Sequence, residues 1–190
     1  MRLAHLIALS LLIVIPIGCD RSDAPGQTTA KGEEGVQEID WDALIPADWR
    51  PEHLLDQYNL DELTDEDPRA QELMDKLKAL WAKAPVVPEL DGKRVRIPGF
   101  VVPLDMDATR IGDFLLVPYY GACIHVPPPP INQTIYVKLP PELAFEGQVF
   151  DTVWVTGTLR VTPTSNELAD AGYRIDATAI APYEGDVGPQ

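Results

Sequence analysis

Apolar and polar positions change their period several times along the chain. An apolar stretch runs from Leu6 to Ile17, and residues 20–37, DRSDAPGQTTAKGEEGVQ, then hold almost no large apolar group. Large side chains return in IDWDALIPADWRPEHLLDQYNL, which carries Trp41, Leu44, Ile45, Trp49, Leu54 and Leu55 in an acidic setting. The period becomes helical over the next unit. Ala70, Leu73, Met74, Leu77, Leu80 and Trp81 share one face, Asp67 can cap it, Pro68 suits its first turn, and Pro85 and Pro88 end it. From Leu90 the pattern is that of strands: KRVRIPGFVVPL, FLLVPYY, QTIYVKL, TVWVTGTLRV and GYRIDATAIAPY. Pro98-Gly99 predicts a bulge or bend, and Gly157 marks a second such place within a β-branched run. Five bent strands in so short a span predict a mainly β fold with N-terminal helices, built as a small OB-like Greek-key β-barrel. A small open sandwich is the alternative.

The first residues change the compartment. Arg2, the apolar stretch and small Gly18 before Cys19 form a secretion signal, and the stretch is short for a membrane span. A cysteine directly after the cleavage point predicts lipidation at Cys19, although Pro16 stands where such signals usually carry leucine. By resemblance to enteric lipoproteins Asp20 implies retention at the inner membrane, so the expected location is the periplasm with a lipid anchor in the bilayer. The expected organisation is a signal peptide at 1–18, a disordered tether at 19–37, a helical segment at 38–89, an OB-like barrel at 90–184 and a disordered tail at 185–190.

The net charge is −15, and residues 20–67 hold fifteen acidic against three basic side chains. Phosphate neutralisation needs lysine and arginine, so no nucleic-acid partner is expected. The acidic leader reads as a solvated segment, with an acidic docking surface as the other reading.

Candidate chemistry concentrates in YYGACIHVPPPPINQTIYV, residues 119–137. With Cys19 lipidated, Cys123 is the one remaining thiol, and His125 stands two residues on. In an extended segment these side chains share a face and could share an ion. Thiolate and imidazole suit zinc first and copper second. Two ligands are too few for zinc, so Asp105, at the end of a strand, and His53 are weaker additions to the set. Four prolines, Pro127, Pro128, Pro129 and Pro130, would hold the backbone rigid beside the pair. The plain alternative is a packed Cys123 and a hydrogen-bonded His125. In the rival reading the proline run is a docking ridge for a protein partner, with Tyr119 and Tyr120 as contact residues. No C-x-x-C pair supports dithiol chemistry, and no third group completes a catalytic thiol; no catalytic residue is assigned.

The segments RIPGFVVPLD, FLLVPYYGACIHVPPPPINQTIYV and VWVTGTLRV, with IDWDALIP upstream, resemble a bacterial family of exported lipoproteins known as domain of unknown function 3299. GACIHVPPPPINQ is the most specific mark. The resemblance implies a periplasmic lipoprotein with an OB-like barrel. It also implies proximity to membrane transport, an ABC-type transporter component being the expected partner, and it strengthens the expectation of metal binding.

Overall fold

A computed structural model describes residues 35–51, 53, 55, 64, 67–105, 110–185 and 187. Five strands form its centre: β2 (Arg94–Pro103), β3 (Phe114–Val117), β4 (Ile135–Lys138), β5 (Thr152–Arg160) and β8 (Tyr173–Pro182). They pair in the order β2–β3–β4–β8–β5, and β5 returns to β2, so the sheet closes into a barrel. Every pairing is antiparallel except β4 with β8. A two-residue strand, β1 (Gln37–Glu38), lies parallel against β2, and β6 (Thr164–Ser165) with β7 (Asp170–Ala171) makes a small hairpin.

The period-two pattern accounts for the wall. Along β5 buried and half-buried residues alternate, sending Val153, Val155, Gly157 and Leu159 inward. The main core collects Val95, Ile97, Val101, Phe114, Leu116, Ile135, Val155, Tyr173 and Ile175. The run Phe114–Val117 does not alternate because both of its faces are covered. Phe114 and Leu116 enter the barrel, while Leu115 and Val117 enter a second, smaller core with Val102, Ala122, Phe150 and Ala169.

One expectation about the strands needs correction. Pro98-Gly99 makes no bulge: β2 pairs with β5 from Arg94 to Phe100 without a register shift. Gly99 is required for packing instead, since a Cβ there would lie 2.5 Å from Leu116 and 3.0 Å from Trp41. The alternation of buried positions in β8, at Tyr173, Ile175 and Ala177, stops there. The β5–β8 ladder slips between Thr156 and Gly157, pairing them with Ala179 and Ala177 and leaving Thr178 as the extra residue of a bulge.

The described part of residues 38–89 combines an arm with a helix. Among the described residues there is one α-helix, α1 (Pro68–Trp81), with Asp67 accepting the Arg69 amide at 2.8 Å as its N-cap. Leu73 and Leu77 are buried on the expected face, and Leu80 is exposed. Residues 37–45 form an arm along the barrel wall. It follows β2 through the Ile39 amide to the Arg96 carbonyl at 3.0 Å and the Trp41 indole to the Pro98 carbonyl at 2.8 Å. Leu44, in a single 3-10 turn, is fully buried in the main core. The physical reason is spacing: Ile39, Trp41 and Leu44 fill the barrel's flank as separate plugs, and Pro46 and Pro51 break any longer helical run.

Candidate functional site

The stretch around Cys123 is a tight turn, which corrects the extended geometry expected for it. Gly121, at φ 86°, turns its carbonyl back so that the amides of Ile124, His125 and Val126 all donate to it, at 3.3, 2.8 and 3.2 Å. Cys123 itself adopts φ 67°, a left-handed conformation uncommon for a residue with a Cβ. The turn separates the two side chains by environment. Cys123 is half-buried against the second core, whereas His125 is exposed, its ring 5.7 Å from that of Phe150. Burial pushes the Cys123 thiol up to about 11. At neutral pH it is a protonated, packed group, and a metal would have to displace its proton.

Asp105 and His53 are both exposed. Among the described residues no three His, Cys, Asp or Glu side chains are gathered as a metal would need. Cys19 lies outside the described residues, as does the tether apart from its last three positions.

The thiol makes a direct prediction. The folded chain should alkylate with iodoacetamide at pH 8 at least about tenfold more slowly than free cysteine, because two pKa units remove about 99% of the thiolate. The rate should climb as pH approaches 11. Stability should follow the same window: the unfolded thiol ionises near 9, the folded one near 11, so stability falls as pH rises between them. A rate equal to that of free cysteine at pH 8 would refute the packed, protonated state.

The four prolines divide. Pro127 and Pro128 are exposed, Pro130 is half-buried and Pro129 is buried. Part of the run faces its own chain, since Trp81 and Ala82 at the end of α1 share a groove of about 230 Å3 with Pro127, Pro128 and Pro129. The residues just after the run are structural. Asn132 Nδ2 donates to the Pro85 carbonyl at 2.9 Å, Gln133 Nε2 to the Trp41 carbonyl at 2.8 Å, and the Gly172 amide to the Ile131 carbonyl at 2.7 Å. PPPPINQ thus ties the arm, the segment after α1 and the start of β8 to one point. Nothing in periodicity announces that role; a polar pair inside an apolar flank, Asn132-Gln133, was its only visible signal.

What remains exposed is aromatic and aliphatic. Tyr120 is 68% accessible, its ring 4.7 Å from Phe150 and 6.2 Å, edge to face, from Phe100. Ile124 and Val126 project from the same turn, and Val149 stands exposed beside Phe150. Tyr119 is less available: it is half-buried, its hydroxyl donates to the Pro127 carbonyl at 3.3 Å, and burial raises its pKa. Sequence reasoning named Tyr120 but missed Phe150, Ile124, Val126 and Val149, which the fold gathers from two separate loops. A separate cleft of about 450 Å3 lies where Phe145 and Leu143 approach the ends of β5 and β8.

Fold and surface together define, among the described residues, a small closed β-barrel with one α-helix, an arm locked to its wall, and an aromatic turn exposed at one end. The chain belongs to the family described as protein of unknown function DUF3299, whose profile matches residues 41–182. It is similar to a DUF3299 family protein from Pseudomonas aeruginosa PAO1 of known crystal structure, with 40% identity and a TM-score of 0.58 over 79% of this chain and 97% of that one. No curated protein matches.

Proposed function

We propose that this chain is a periplasmic lipoprotein, anchored to the inner membrane through Cys19, whose OB-like barrel serves as a protein-docking module without a metal. The OB-like assignment is supported by five barrel strands and the order β2–β3–β4–β8–β5 with one parallel pair. The docking reading is carried by one observation: Tyr120 stands exposed against Phe150, Ile124 and Val126 are exposed on the same turn, Val149 is exposed next to Phe150, and exposed Pro127 and Pro128 follow in the chain. Contiguous apolar surface with a rigid aromatic at its centre is what a partner protein buries. The resemblance to exported lipoproteins near transport systems makes a membrane transport component, of the ABC type, the partner to test.

The test places a photo-crosslinking residue at Tyr120 in growing cells. A discrete adduct with an envelope transport protein is expected, reduced at least fivefold by Ile124→Asp, with no such adduct from a crosslinker at Glu72 on α1. Equal adducts from both positions would refute the docking site. Zinc calorimetry separates the rival: stoichiometric binding by wild type that Cys123→Ser and His125→Ala each abolish would replace docking with a metal site, completed by Asp105 or His53.

A further inference from the structure

The cleft of about 450 Å3 lies where β5 begins at Thr152 and β8 ends at Pro182, and the docking turn makes no use of it. Phe145, Val153, Ile180 and Tyr183 line it with apolar and aromatic groups, and the exposed residues Glu146 and Asp151 complete its edge. A concave, mostly apolar site of this size with a few polar groups suits a small molecule.

The walls are preformed. Phe145 exchanges backbone hydrogen bonds with Ile111 at 2.8 and 3.2 Å, and its ring meets that of Phe114, in the main core, edge to face at 6.0 Å. At the strand ends the Tyr183 amide donates to the Thr152 carbonyl at 3.0 Å, and the Thr152 hydroxyl donates to the Tyr183 carbonyl at 2.8 Å. The Tyr183 ring packs on Trp154 with 4.9 Å between centroids. The Asp151 carboxylate is oriented by the Gln148 amide, which donates to Oδ2 at 2.7 Å. A ligand entering here orders little that is not already ordered.

The charge at the edge is of one sign. Among the described lining residues there is no lysine or arginine. The cations that approach the cleft's neighbours are otherwise engaged: the Arg110 guanidinium donates to the Ala144 carbonyl, and that of Arg96 lies over the Trp154 ring at 3.9 Å. Glu146 and Asp151 also border an open hollow with Gly147 and Gln148, so the two carboxylates stand where the apolar cleft meets water. A bare metal ion would leave the apolar walls unused and find only two carboxylates. An anion would be repelled. A molecule with an apolar ring and one ammonium group matches both parts, its body in the cleft and its charge at the edge, with the aromatic ring of Tyr183 adding to the attraction. We propose that this cleft binds a small organic cation of that class, an aryl-bearing amine. The proposal is independent of the docking reading: loss of the Tyr120 crosslink leaves it standing, and failure to bind the amine leaves the crosslink standing.

The test titrates the full mature chain carrying Cys19→Ser with naphthylmethylamine, naphthylmethanol and naphthylacetate, which share a ring and differ in charge. Amide correlation NMR reports both affinity and place. Saturable binding of the amine is expected, with the largest shifts at the Val153, Ile180 and Tyr183 amides. At low salt the amine should bind about fivefold tighter than the alcohol and at least about tenfold tighter than the acetate, and added salt should narrow both ratios. Glu146→Gln/Asp151→Asn should bring the amine to within about twofold of the alcohol, since asparagine keeps an acceptor for the Gln148 amide while both charges are gone. A thermal melt reports whether this variant is folded; if it is not, Glu146→Gln alone, at an exposed position, should halve the preference for the amine. No saturable binding of the amine, an amine no tighter than the alcohol, shifts confined to the Tyr120 turn, or an unchanged preference in the folded variant would each overturn the proposal.

Discussion

Gly157→Ala is expected to destabilise the barrel by about 3 kcal/mol or more, and Gly157→Val by more still. Two of the three closest atoms are backbone, which cannot turn aside as the Ile175 methyl can. A Cβ at this position would sit 2.5 Å from the Asp176 carbonyl oxygen and 2.9 Å from the Ala177 Cα, closer than any real Cβ approaches. Relief requires β5 and β8 to separate where the bulge already brings them together, and that ladder is part of the closed wall. Two controls fix the interpretation. Gly99→Ala meets the Leu116 side chain at 2.5 Å, which can shift only within a filled core, so a smaller loss of about 1–3 kcal/mol is expected. Gly112→Ala meets nothing within 4 Å and should change stability by no more than about 0.5 kcal/mol. Urea denaturation of the three variants measures the series. A Gly157→Ala midpoint within experimental error of wild type would show that the two strands do not approach as described.

The strands and the helix were legible because each carries its own period. TVWVTGTLRV alternates, α1 has its cap, its proline and its apolar face, and Gly157 falls where a glycine in a β-branched run signals close approach. The arm was not legible in the same way. IDWDALIP has no helical or strand period, because Trp41 and Leu44 fill separate gaps in the barrel's flank and their spacing is set by the wall they cover. The backbone at Cys123 and His125 was not legible for a related reason. The argument that residues two apart share a face holds for extended backbone, whereas Gly121 folds three following amides onto its carbonyl. The exposed patch could not be read at all from local sequence, since Phe150 reaches Tyr120 from thirty residues away.

Replacing Tyr173 with phenylalanine should cost about 3 kcal/mol while leaving the side-chain volume nearly unchanged. Tyr173 is the largest fully buried side chain in the barrel. Its hydroxyl donates to the Leu44 carbonyl at 2.8 Å and accepts the Val87 amide at 2.7 Å. One oxygen thus joins three parts of the chain: the arm, the segment after α1 and β8. Phenylalanine keeps the ring but strands a buried carbonyl and a partly buried amide, each worth about 1–3 kcal/mol when its partner is removed. The loss should be local as well as global. In hydrogen exchange the Val87 amide should lose its protection first, and limited proteolysis should cut near residues 45–51 before the barrel unfolds. The pH dependence supplies an independent check. Burial raises the Tyr173 pKa above its ordinary value near 10, with the Val87 bond opposing in part, so the unfolded phenol ionises before the folded one. This contribution is complete below pH 10 and is lost as pH rises above it. The stability gap between wild type and Tyr173→Phe should therefore be constant from pH 6 to 9 and narrow above 10. A variant with wild-type stability and an intact arm would show that the hydroxyl holds neither segment.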